Sequence, residues 1–155
     1  MNRNSVLALL LGAVLWTACD TNRIAEQWVD IPTNGWDKDS VCVFTAELTD
    51  TTHFVDLSVG IRNQNVYPYS NLWMFISIIS PQNEIHVDTF QVNLASPSGE
   101  WYGSGWGNLY TVSVPYRENL RFTEIGEYTF QIKQGMRHDV LQGISNIGFR
   151  IEKAN

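Results

Sequence analysis

The sequence predicts an all-β protein, an antiparallel β-sandwich of about seven to eight strands. Two observations carry this. Apolar residues recur with a period of two, not 3.6, in segment after segment. Turn-forming residues separate those segments. Jelly-roll and immunoglobulin-like topologies fit the pattern equally.

Arg3 gives a positive start, and Val6 to Trp16 is apolar apart from Gly12. That run falls short of the ~20 apolar residues a permanent transmembrane helix needs. It has the size of a signal-peptide core. Small residues Thr17 and Ala18 then lead directly into Cys19, so residues 1–18 are expected to be removed and Cys19 to carry lipid. Trp16 stands where a typical lipobox has Leu or Val. The bland alternative is an ordinary cleaved signal followed by a chance cysteine. Residues 19–36 mix polar residues with Pro32, Asn34 and Gly35 and are expected to form a lipidated N-terminus and tether. The tether should end near Trp36, with the β-sandwich occupying 37–155.

Within that domain Phe44, Ala46 and Leu48 form one apolar stripe. Val55, Leu57, Val59 and Ile61 form another, opposite Asp56, Ser58, Gly60 and Arg62. Leu72 to Ile79 is almost continuously apolar, which predicts a central strand covered on both faces, with Trp73 in the core. Glu84 to Leu94 follows Pro81-Gln82-Asn83 and is expected to be its antiparallel partner. Tyr110, Val112 and Val114, then Tyr128, Phe130 and Ile132, then Ile147, Phe149 and Ile151 complete the alternating strands. The one helical expectation is a short turn from Met136 to Leu141.

Composition narrows the function. Ten Lys+Arg stand against sixteen Asp+Glu, a formal net charge of −6. No basic cluster is present, which argues against nucleic-acid binding and leaves membrane attachment to the lipid. With Cys19 acylated, Cys42 has no intramolecular partner, so the domain must hold together without a disulfide. Cys42 lies in Val41-Cys42-Val43-Phe44 and is expected to be a small buried hydrophobe.

Few residues carry a recognisable chemical signature. No GxSxG, HExxH, CxxC or phosphate-loop motif occurs. No catalytic residue, metal site or cofactor is expected. His86 and Asp88 share a face of their strand, a spacing that can hold a metal or orient a base, but any polar strand face looks alike. No carboxylate pair is singled out as a glycosidase pair. Arg62, Arg137 and Arg150 are expected to lock neighbouring loops. The aromatic loops are the better candidates for contact. Trp101, Tyr102 and Trp106 sit among glycines and can stack on sugar rings. Tyr67 and Tyr69 can join them or anchor a protein contact. Alternatively these rings close the open end of the sandwich.

Taken together, several segments resemble the gliding-motility lipoprotein GldH family of the Bacteroidetes. They are Cys19, Trp36-Asp37-Lys38-Asp39, Ile61-Arg62-Asn63, Tyr67-Pro68-Tyr69-Ser70-Asn71-Leu72-Trp73 and Asp88-Thr89. Further along come Gly99-Glu100-Trp101-Tyr102-Gly103-Ser104-Gly105, Gly126-Glu127-Tyr128, Gln134-Gly135-Met136-Arg137, Gly143-Ile144 and Gly148-Phe149-Arg150-Ile151-Glu152. The resemblance implies a non-enzymatic lipoprotein of the cell envelope, with the outer membrane favoured. It would support gliding or type IX secretion through contacts with other proteins of that machinery. Only the acylated cysteine, Cys19, carries over as a functional position. The alternative expectation is a surface lipoprotein that binds carbohydrate through Trp101, Tyr102 and Trp106. An envelope hydrolase rests only on scattered histidines and carboxylates.

Overall fold

The computed structural model describes residues 22–154, so Cys19 and the signal segment lie outside the described residues. The strands are β1 Arg23–Asp30, β2 Trp36–Asp37, β3 Cys42–Leu48, β4 Val55–Gln64, β5 Asn71–Ile79 and β6 Ile85–Asn93. They continue with β7 Ser104–Trp106, β8 Leu109–Leu120, β9 Gly126–Gln134, β10 Val140–Leu141 and β11 Ile144–Lys153. One sheet has the order β1-β11-β4-β8-β7 and the other β3-β9-β5-β6, with β2 and β10 paired apart. All pairings are antiparallel. The chain crosses between the two sheets at almost every step, and the eight long strands divide four and four. That is a jelly roll, which decides between the two topologies the sequence allowed.

The alternation seen in the sequence does the packing. Leu57, Val59 and Ile61 of β4 and Ile147, Phe149 and Ile151 of β11 point inward from the first sheet. Phe44, Ala46 and Leu48, with Tyr128, Phe130 and Ile132, meet them from the second. Phe149 stacks on Phe130 with ring centres 4.5 Å apart and on Phe44 at 5.8 Å. Cys42 is buried beside them, and burial pushes its thiol up to about 12. Among the described residues it is a free cysteine.

Three expectations need correction. The segment read as tether contains β1, which pairs with β11 along its length. β1 is an edge strand with most side chains exposed or half-exposed, so it lacks the apolar alternation that marks a buried strand. Its Gln27 closes the neighbouring edge of the other sheet. The side-chain amide donates to the Thr45 carbonyl at 2.9 Å, and the Thr45 N–H donates to Gln27 Oε1 at 3.2 Å. Second, β5 is central but covered on one face only. Leu72, Met74 and Ile76 are buried, whereas Trp73 and Phe75 lie on the outer face, 39% and 45% exposed. Third, residues 136–139 form bends, not a helical turn. The side chain of Gln134 holds them, accepting from the Met136 N–H at 2.8 Å and donating to the His138 carbonyl at 2.7 Å.

The outer face of the first sheet has its own lock. Trp28, Gly148 and Gly60 lie in one row across β1, β11 and β4. The indole covers both glycines, and Arg62 stacks on it at 4.2 Å. A Cβ on Gly60 would lie 2.4 Å from the Trp28 ring. Gly60→Ala should therefore lower stability by about 1–3 kcal/mol, measured by urea unfolding. In a Trp28→Ala background the same change should cost much less; an equal loss in both backgrounds would contradict the row.

Candidate functional site

The strand registers sort the loops onto two poles. The start of β1 at Arg23, the end of β11, the β3–β4 loop 49–54, the β5–β6 turn 80–84 and the β8–β9 loop 121–125 share one pole. The aromatic loops 65–70 and 94–103, the tip of β7–β8 and the bends 135–139 share the other.

At the aromatic pole the five rings singled out in the sequence separate into two groups. Tyr67 is buried, and its hydroxyl donates to the Asn71 carbonyl at 2.8 Å. Burial first, then Tyr69, pushes its phenol well above the usual range. Gly143 makes room for it, since a Cβ there would lie 2.6 Å from Tyr67 Cα. Trp101 is half-buried between Tyr67 and Tyr110, with ring centres at 6.4 and 6.1 Å. Tyr69 meets Tyr67 edge-on and hydrogen-bonds through its hydroxyl to His138 Nε2. These three close the end of the sandwich. Tyr102 and Trp106 do not join them. Trp106 caps the β7–β8 hairpin, where Gly107 takes φ +64, and it is 95% exposed. Two rings of the proposed sugar platform are thus apart from the third.

A cavity of about 470 Å³ opens beside Tyr69, lined by Asn71, Trp73, Met136, Arg137 and His138. Sequence reasoning missed most of this lining. It placed Trp73 in the core because β5 is apolar on both faces. The signal available was Gly135, which lets the 135–138 bend lie against the Trp73 backbone and the Phe75 ring. Beside the cavity Trp73 and Phe75 stand exposed on the outer face of the second sheet, among the polar Thr89, Gln91 and Lys133 of the neighbouring strands, with Val87 one row further along. Exposed aromatic side chains held on paired strands are characteristic of contact sites.

Two titratable clusters hold parts of the fold together. Asp88 accepts from the Arg117 guanidinium and, at 3.2 Å, from the Tyr116 hydroxyl, while His86 stands 4.0 Å away. The pair singled out for a metal or a base is therefore part of a clasp joining β6 to β8. Near the other pole Asp50, Thr52 and His53 meet within one exposed loop. Both Asp50 and Thr52 approach the same nitrogen, Nδ1, at 2.7 and 3.1 Å. A relay needs the two ring nitrogens on different partners, so this is a loop brace. The hydrogen bonds from Thr52, then that from His53, hold the Asp50 carboxyl down at about 2. The three arginines expected to lock loops stand at separate places. Arg62 stacks on Trp28, Arg150 pairs with Glu152 at 2.5 Å, and Arg137 lines the cavity. Among the described residues no group of three or more His, Cys, Asp or Glu is arranged to hold a metal.

The profile of the family described as GldH lipoprotein matches residues 23–151. The "Gliding motility lipoprotein GldH homolog" of Christiangramia forsetii is 37% identical over 97% of this chain and 96% of its own length. The "Gliding motility lipoprotein GldH" of Flavobacterium johnsoniae is 34% identical over 94% of each. Among solved structures, a 4-O-methyl-alpha-glucuronidase overlays 88% of this chain with 18% of its own, at TM-score 0.44 and 14% identity. A likeness that loose carries no activity to this chain.

The clasp predicts a pH dependence. Desolvation works against the Asp88 carboxylate, but Arg117 and Tyr116 outweigh it and hold its pKa below the usual value. A depressed carboxylate stabilises the fold above its unfolded pKa of about 3.9, and that share is lost as pH falls through the folded value. Asp88→Asn should therefore cost up to about 1 kcal/mol at pH 7, the clasp being partly exposed. The gap from wild type should close below about pH 4. A gap unchanged down to pH 2 in acid-unfolding curves would rule the clasp out.

Proposed function

This chain belongs to the GldH lipoprotein family, and from that premise we propose that it is a lipid-anchored, non-enzymatic envelope protein that supports gliding motility or type IX secretion through protein contacts. The observation that carries this reading is the match to two gliding motility lipoproteins along nearly the whole chain. Residues 1–18 direct export and are removed. Cys19 then carries the lipid that holds the domain to the outer membrane.

Contact in place of catalysis is supported by how the polar groups are used. The histidines and carboxylates that come together are engaged in bracing loops and fastening strands. The exposed rings form a surface instead. Trp73, Phe75 and Val87 are apolar, solvent-facing and mounted on paired strands. Rigid aromatic groups of this kind anchor protein interfaces at low entropic cost. The carbohydrate reading retains only Tyr102 and Trp106 as free rings. Glycan binding by the purified protein that Trp106→Ala abolishes would favour it.

Two measurements test the main reading. Labelled palmitate should enter the wild-type protein and not Cys19→Ser; label in both would mean another anchor site. Deleting the gene should reduce export of type IX cargo, and colony spreading where the host glides. Normal export and spreading would overturn the assignment.

A further inference from the structure

We propose that the pole around Phe54 and Ile125 rests in the lipid interface, so that the domain stands on the membrane instead of hanging from it. This rests on Cys19 being the lipidated residue. The argument begins with chain length. β1 starts at Arg23, and four residues of extended chain reach roughly 14 Å at most. The ten residues of β4, at about 3.4 Å each, span roughly 34 Å. An anchor that short holds the pole where β1 begins against the bilayer. With the strands upright, the aromatic pole stands clear of it.

The groups at the anchored pole suit that position. The Lys153 N–H donates to the Asn22 carbonyl at 2.8 Å, and the Ala154 N–H donates to the Phe54 carbonyl at 2.9 Å. Phe54 is therefore fastened beside the point where the chain leaves toward Cys19. Its ring is 50% exposed on the loop 49–54. Arg121 reaches across from the loop 121–125 to the Thr51 carbonyl at 3.4 Å, tying the two loops together. The second loop carries Ile125, 64% exposed. Ile24, the second residue of β1, is a further exposed apolar group near the exit. An aromatic and an aliphatic side chain on short loops, on a pole whose clefts are lined by Arg121, Lys153 and His53 and by Glu47, Asp50, Glu84 and Glu124, match the apolar boundary below lipid headgroups better than bulk water. The mixed charges nearby mean that apolar contact, not attraction to anionic lipid, sets the docking.

The test uses the full acylated protein, purified from membranes and reconstituted into phosphatidylcholine vesicles. Single variants Phe54→Cys, Ile125→Cys and Trp106→Cys carry a nitroxide label; buried Cys42 stays unlabelled. Near-UV circular dichroism checks the fold, and mass spectrometry checks the acyl group on Cys19. The ratio of oxygen to water-soluble nickel collisions should be severalfold higher at 54 or 125 than at 106. Ratios at both sites no higher than at 106, on an acylated chain, overturn the proposal and leave the anchor standing. A fall in both collision rates at 54 and 125 means that a second copy covers the pole, which also overturns it. A chain without acyl on Cys19 removes the anchor and this proposal together.

Discussion

The stacking of Phe149 on Phe130 and Phe44 is the contact on which the rest of the structure depends. With no disulfide among the described residues, apolar packing between the inner faces is the main bond joining the sheets. Burial of that kind is non-directional. It holds the layers together but does not align their edges. Alignment comes from the margins, where Gln27 closes one side onto Thr45 and the Arg117–Asp88 clasp closes the other. With both margins held, each pole presents a fixed set of loops.

The inner face was legible in the sequence because period two is the physics of a half-buried strand. Val55 to Ile61, Tyr128 to Ile132 and Ile147 to Ile151 fall on β4, β9 and β11 with the faces anticipated. β1 was hidden because an edge strand packs little apolar surface, so Arg23, Glu26 and Asp30 look like linker residues. β5 misled in the opposite direction. A run apolar on both faces ordinarily means cover on both, yet here Trp73 and Phe75 face solvent. Pattern alone cannot distinguish a strand buried in its own protein from one that keeps an apolar face outward.

The same limit governs the aromatic pole. Glycines beside Trp101 and Tyr102 correctly indicated close packing, and Gly103 shows why, since a Cβ there would meet the Thr111 carbonyl at 2.1 Å. Which rings would point in and which out was not encoded locally. Tyr67 and Trp101 turned inward because β5, β6 and β8 bring their loops together. Trp106 turned outward because it ends a hairpin with nothing beyond it. The cavity at Trp73 and His138 joins residues about 65 positions apart in the chain, a juxtaposition that the pairing of β5 with β9 creates.

Under the proposed function, partners of the motility or secretion apparatus would dock on the outer face that carries Trp73 and Phe75. Photo-crosslinking in living cells tests this most directly. A photoreactive residue at Phe75 should capture a defined envelope protein of that apparatus. The same group at Ser113, exposed on the outer face of the other sheet, should not. Equal capture at both positions, or none at Phe75 in cells that glide and secrete normally, would contradict the account.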